Sequence, residues 1–222
     1  MTAGVAGDGR ARLRYTNVAI ALHWAIAALI LYNLSSGLLL AVLPRGFFAL
    51  HISSGITILA LTLVRIAWRL THKPPPLLPM AEWERRLAHT NHFLLYLAML
   101  LMPFSGWAMV SASPPAGSPG AALAAEQRAA SGQPPRKGDG PLIWGLFTLP
   151  SIGPVAEVGR TAEGLPEPRA LHERIETFHL LGGWLMLALF LLHVAGALKH
   201  QLIDRRRELA RMGLGTPEMA QA

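Results

Sequence analysis

The chain of 222 residues is 52% hydrophobic and 15% charged, with a mean hydropathy of +0.35, which fits an integral membrane protein better than a soluble domain. Its net charge of +7 would suit nucleic acid, but no basic stripe is interleaved with aromatics and the cations gather beside apolar runs, so the charge reads as membrane topology. The lack of cysteine excludes disulfides, iron–sulfur clusters, thiolate-bound metals and covalent Cys-x-x-Cys-His attachment, leaving nitrogen or oxygen ligands for any cofactor.

Residues 1–14 are small, polar and basic and read as a tail that feeds a first apolar run, Val18 to Leu43. That run is longer than the apolar core of a cleaved signal peptide, about 7–15 residues, and no clear small-x-small site follows it, so a retained helix is expected. Pro44, Arg45 and Gly46 make a turn, and a second helix is expected from Phe48 to Trp68, antiparallel to the first. Arg69 to Arg86, with three consecutive prolines from Pro74 to Pro76, reads as a loop. A third helix is expected from His89 to Val110, bent near Pro103. Residues 111–170 form a long connection whose first part, Ser113 to Gly140, is rich in Ala, Gly, Pro and Ser and is expected to be largely irregular. Within it, Pro141 to Gly153 is too short to span and suits either an interfacial cap or a packed loop core. Residues 170–177 lead into a fourth span, Phe178 to His200, and residues 205–222 read as a second tail. The expected fold is all-α, an integral membrane four-helix bundle over residues 15–204 with a long outer loop between the third and fourth helices.

Thirteen Lys and Arg flank one side of these spans, in the N-terminal tail, the second-to-third loop and the C-terminus. Seven lie on the other side, where the long loop also carries seven acids. Both termini are therefore expected in the cytoplasm. The fourth span carries His179, His193 and His200, although hydrocarbon is a costly place for imidazoles without partners. At about 1.5 Å and 100° per residue, His179 and His193 fall roughly 21 Å apart on nearly one face. Topology sorts the others by depth. His23, early in the first helix, shares the inner half with His193, and His51, early in the second, shares the outer half with His179. Two axial imidazoles per iron suit haem b, leaving no open position for oxygen and favouring outer-sphere electron transfer.

Several residues keep two readings. Gly37, Gly55, Gly182, Gly183 and Gly196 suit either close approach of a flat macrocycle or helix packing. His200 suits a quinone carbonyl, a haem propionate or a solvated helix end. His89 and His92 suit haem or quinone contact or simple capping. Arg65 and Arg69 suit anchoring to anionic lipid or propionate pairing. His72 and His172 lie outside the apolar spans and are assigned no cofactor role.

ALHWAIAALI around His23, LHISSGITILALTLVRIAWRL around His51, LAHTNHFLLYLAMLLMPFSGW around His92 and FHLLGGWLMLALFLLHVAGALKH together resemble the bacterial cytochrome b561 family over roughly residues 14–204. The resemblance implies an inner-membrane, multi-pass protein with two haem b groups, one on His23 and His193 and the other on His51 and His179. It is greatest to members that oxidise superoxide at the outer face and reduce ubiquinone, and it suggests His200 and His92 near the quinone. The segment from Ser113 to Gly140 departs from compact members as an insertion. An outer loop with more acids than bases does not steer anionic superoxide unless Arg45, Arg160, Arg169 or Arg174 gather locally. The alternative function is an electron-transfer cytochrome b subunit serving a partner dehydrogenase, hydrogenase or periplasmic carrier through the long loop. A histidine-lined metal transporter fits poorly, because it needs carboxylates or a polar path within spans that contain none.

Overall fold

A computed structural model describes residues 14–44, 46–76, 79–132, 140–161 and 166–215. Helices α1 (Asn17–Leu38), α2 (Gly46–Thr71) and α3 (Glu82–Ser111) come first. The connection after them holds α4 (Pro119–Ala130), an antiparallel hairpin of β1 (Leu142–Ile143) and β2 (Phe147–Thr148), α5 (Gly153–Ala156) and a 3-10 turn at Glu157–Gly159. Helix α6 (Pro166–Leu198) passes into a π-helical turn at Lys199–Ile203, and α7 (Glu208–Arg211) is a single turn. Helices α1, α2, α3 and α6 are long and apolar enough to cross a bilayer.

Beside buried aliphatics such as Ile26, Ile58, Leu95 and Met186, the interior holds small hydroxyl residues. Ser53, Ser54, Thr62 and Ser111 are fully buried, while Leu63, Leu70, Phe93 and Leu181 lie on the surface. Lipid accepts the leucines at no cost, and small hydroxyl residues let helix backbones approach, with the Ser53, Ser54 and Ser111 hydroxyls bonded to carbonyls of their own helices and the Thr62 hydroxyl buried with no described partner. Ser53, for example, donates to the Ala49 carbonyl at 2.8 Å.

Several boundaries differ from the sequence reading. Helix α3 starts seven residues before His89, because Glu82 and Glu84 favour the positive N-terminal end of a helix and Glu82 pairs with Arg85 and Arg86 along the first turns. The segment expected to be irregular contains α4, since Ser118 caps it by accepting from the Ala121 N–H at 3.1 Å, Pro119 suits the first turn, and the rest is largely alanine. Two short strands qualify the all-α expectation. Their turn places Trp144 (φ 51°) and Gly145 (φ 74°) in the left-handed region, with the Leu146 N–H donating to the Ile143 carbonyl at 2.9 Å. Arg45, Arg136 and Lys137 lie outside the described residues.

The chain forms two compact units. One comprises the described residues of 1–28, 60–98 and 186–222. Within it the segment past residue 204, read from sequence as a tail, folds back instead. Arg211 is buried and donates to the Pro76 carbonyl at 2.5 Å, the Tyr15 N–H donates to the Arg211 carbonyl at 3.2 Å, and Trp24 Nε1 donates to the Met212 carbonyl at 2.9 Å.

The other unit comprises residues 29–59 and the described residues of 99–185. Its long connection is tied to the helices at several points. The Trp144 N–H donates to Ser53 Oγ and Trp144 Nε1 to Thr57 Oγ1, both at 2.9 Å. Trp107 Nε1 donates to the Pro150 carbonyl at 2.9 Å, and the Ile152 N–H to Ser111 Oγ at 3.1 Å. The segment Pro141 to Gly153 is thus held against α2 and α3, while Leu142, Leu146 and Phe147 face outward.

Candidate functional site

In the unit that holds residues 29–59, the rings of His51 on α2 and His179 on α6 face each other with centroids 6.3 Å apart and planes at 75°. Each ring has a serine on its Nδ1. Ser36 Oγ lies 3.2 Å from His51 Nδ1 and donates to the Asn33 carbonyl at 3.2 Å. Ser105 Oγ lies 2.8 Å from His179 Nδ1 and donates to the Met102 carbonyl at 2.9 Å. A hydroxyl has one proton, so a serine that donates back to its own helix accepts from the imidazole. Both histidines then carry their proton on Nδ1, and both Nε2 lone pairs are available to a metal, as in other histidine sites tuned by outer hydrogen bonds.

Glycines set how closely the rings lie to neighbouring backbone. A Cβ on Gly37 would stand 2.8 Å from His51 Cε1, and one on Gly106 would stand 3.2 Å from His179 Cε1. Gly37→Ala is therefore expected to destabilise the protein by about 1–3 kcal/mol and Gly106→Ala by less, read by thermal unfolding in detergent. The other singled-out glycines divide. A Cβ on Gly55 would stand 3.6 Å from Asn33 Nδ2 and one on Gly182 would overlap the Met102 sulfur, whereas a Cβ on Gly183 or Gly196 meets no described atom within 4 Å.

In the other unit, His23 on α1 and His193 on α6 have centroids 6.1 Å apart at 66°. His92 on α3 joins them, its ring 5.0 Å from that of His193 and its Nδ1 2.6 Å from the Ala88 carbonyl, to which it donates. Arg65 Nη2 stands 3.3 Å from His23 Nδ1, while Arg65 Nε donates to the Tyr96 hydroxyl at 2.9 Å and Nη1 to the Ala19 carbonyl at 3.2 Å. A guanidinium only donates. Its approach to His23 thus favours the tautomer protonated on Nε2, the reverse of the serine-backed pair. Were His23 to bind a metal through Nε2, its proton would sit on Nδ1 and Arg65 would keep its bonds to Tyr96 and Ala19.

His200 sits in the π-helical turn of the same unit, its Nδ1 2.6 Å from Asp204 Oδ2. Lys199 Nζ donates to the same Asp204 oxygen at 3.0 Å and to Glu84 at 2.5 Å. The wider turn of a π segment, a feature frequent at functional sites, carries His200 and its neighbours. Lys199 and His200 hold the Asp204 carboxyl below its ordinary range, the lysine contributing most. His172 bonds instead to the Met109 carbonyl at 3.0 Å, and His72 stacks on Trp68 with centroids 3.7 Å apart.

Ser36, Ser105, Gly106 and Arg65 escaped the sequence reading as partners of specific histidines. Their signal was present only as small or charged residues within apolar runs, and which histidine each meets depends on the rotational phase of two helices.

Four membrane-length helices carrying two facing imidazole pairs define a multi-pass membrane protein with paired-histidine sites. The chain belongs to the prokaryotic cytochrome b561 family, whose description matches residues 14–215. Membership implies haem b binding, membrane electron transfer and a bacterial membrane location. Over 207 residues the chain is 28% identical to cytochrome b561 homolog 2 of Escherichia coli (strain K12), covering 90% of each chain. Over 102 residues it is 31% identical to the probable superoxide oxidase CybB of Yersinia pestis, covering 44% of this chain and 58% of that relative's length.

Proposed function

We propose that the protein is a di-haem b oxidoreductase that carries electrons across the bacterial inner membrane from superoxide to ubiquinone. His23 and His193 hold one haem iron and His51 and His179 the other. The observation that carries this reading is the spacing of the two ring pairs, 6.1 and 6.3 Å between centroids. Two imidazole rings at that separation leave room for one metal ion between them, and paired neutral imidazoles are a donor set that would suit haem iron. When bound, haem b supplies a one-electron couple whose iron has no position left for a diatomic ligand.

The chain's own residues do the rest. Ser36 and Ser105 fix two imidazoles in the tautomer that presents Nε2, and Gly37 and Gly106 let those rings lie against the backbone. His200, held by Asp204, hydrogen-bonds a quinone oxygen, with His92 beside His193 as a second polar contact. Two superoxide anions release two electrons and leave as dioxygen, and one quinone takes those electrons with two protons to become quinol. Both termini lie in the cytoplasm, residues 15–204 form the membrane domain with the loop 111–170 outside, and lipid surrounds the spans. The superoxide assignment draws support from the name of the Yersinia pestis relative. Of the candidate steering cations, Arg160 pairs with Glu157, Arg169 donates to Gln127, and Arg174 is exposed.

The purified membrane protein is expected to contain two haem b per chain with low-spin bis-imidazole spectra, and stopped-flow mixing with superoxide is expected to reduce them rapidly. Absence of haem removes the proposal, and haems that stay oxidised remove the donor alone. A second reading, an electron-transfer subunit serving a partner dehydrogenase, hydrogenase or periplasmic carrier, is favoured by the packed connection and its outward-facing Leu142, Leu146 and Phe147. Under that reading a redox partner co-purifies and is lost when residues 113–140 are deleted.

A further inference from the structure

A cavity of about 490 Å³ lies within the unit that holds His23, lined by Arg14, Arg65, Arg69 and Lys73 together with Trp68 and Tyr96. Its volume is within the range of about 300–1,000 Å³ common for small-molecule sites. No acidic residue lines it, and among the described residues no carboxylate pairs with any of these four cations. Acids are not scarce in the same unit: Glu82 pairs with Arg85 and Arg86, Glu84 and Asp204 with Lys199, and Glu208 with Arg211.

Two of the cations meet on one ring. Arg65 donates to the Tyr96 hydroxyl at 2.9 Å, and the Arg69 guanidinium lies over the same ring, 5.9 Å from its centroid. Convergent like charges repel one another, so a cavity that gathers them without a counter-charge is suited to an anion. The cavity also lies where a headgroup would. Arg69 occupies the last turn of a membrane-length helix, and Trp68 Nε1 donates to Thr16 Oγ1 at 3.0 Å just before α1 begins. Of the four cations, Arg65 is the one that touches His23. Arg14, Arg69 and Lys73 make no hydrogen bond to a histidine among the described residues.

We propose that this cavity binds the phosphate of an anionic phospholipid headgroup, with Arg14, Arg69 and Lys73 as its ligands and Trp68 and Tyr96 packing on the glycerol end. A free phosphate ion shares the charge but gains nothing from the aromatic wall, which is why lipid is the favoured source.

The test uses the full-length, haem-loaded protein in detergent, titrated separately with short-chain phosphatidylglycerol, short-chain phosphatidylcholine and inorganic phosphate, with bound molecules counted by native mass spectrometry. One phosphatidylglycerol per chain is expected to bind at least about tenfold more tightly than phosphatidylcholine, and R69Q/K73Q is expected to weaken it about tenfold or more. R85Q/R86Q, which removes cations already paired with Glu82, is expected to leave it unchanged. Should R69Q/K73Q not fold, K73E alone serves, because Lys73 is exposed beyond the end of α2. Equal binding of the two lipids, or undiminished binding in the variant, overturns the proposal. Displacement by equimolar phosphate shows that the free ion is the ligand and overturns the lipid. Loss of haem in step with loss of lipid shows that the cations serve a haem carboxylate and also overturns it.

Discussion

Replacing His51 with leucine is expected to remove one haem from each chain and leave the other spectroscopically intact. His179→Leu is expected to do the same to the same haem. Under the proposed pairing each imidazole is half of a ligand pair whose partner ring stands 6.3 Å away, and leucine at either position would leave the iron one nitrogen ligand short. His23→Leu and His193→Leu are expected to remove the second haem. The stronger test is in the combinations. If two residues hold one iron, the double substitution H51L/H179L costs no more haem than either single change, because residues that act as a unit are not additive. H51L/H193L, taking one member from each pair, is expected to leave none. Haem per chain by pyridine haemochromogen, with protein recovery as the folding control, reads both results. A chain that keeps both haems after H51L, or an H51L/H193L protein that keeps one, would sink the pairing.

Much of this arrangement was legible in the sequence. Four long apolar runs gave the spans, because a helix in lipid must be apolar all round and the signal is then length rather than periodicity. The distribution of Lys and Arg gave each histidine a depth, and depth sufficed to pair His51 with His179 and His23 with His193, residues that the structure places ring to ring. What escaped depends on angles and not on levels. Ser105 lies 74 residues from His179 in sequence, and nothing in either local stretch states that the phase of α3 turns its hydroxyl to that ring. Gly106, next to it, reads in sequence as one small residue among many, although the His179 ring lies against it. The hairpin at Leu142–Thr148 was hidden because its turn uses Trp144 at positive φ, a conformation that tryptophan rarely adopts, and its stability rests on Ser53 and Thr57 of a distant helix. The return of Arg211 to Pro76 was hidden for the same reason, since a basic stretch after a last span ordinarily reads as solvated.

The second large effect is expected at Asp204, and it rests on the quinone assignment of His200. Asp204 accepts from His200 Nδ1 at 2.6 Å, which orients the ring; Nε2 of the doubly protonated ring would donate to a quinone carbonyl, and Nε2 of the neutral ring would accept from a quinol hydroxyl. Lys199 bonds the same carboxylate oxygen, so Asp204 is held from two sides. Asp204→Asn keeps a hydrogen-bond acceptor for His200 Nδ1 but removes the carboxylate charge. Oxidation of the reduced haems by ubiquinone is expected to slow by about tenfold or more, while haem content and the rate of haem reduction stay at wild-type values. His200→Phe is expected to slow the same step further, and Asp204→Glu to restore part of it. An unchanged rate in both D204N and H200F would remove quinone chemistry from this end of α6 while leaving the haem pairs untouched. The pH dependence has a definite sign. Hydrogen bonds from Lys199 first and His200 second depress the folded-state pKa of Asp204 below its unfolded value. Its stabilisation is therefore fully present above the ordinary carboxylate range and is lost as pH falls through the depressed value. Thermal unfolding between about pH 3 and 7 is expected to show an acid-side loss in the wild type that is smaller in D204N, whereas between about pH 5 and 8 Asp204 stays ionised and contributes no break to the rate profile.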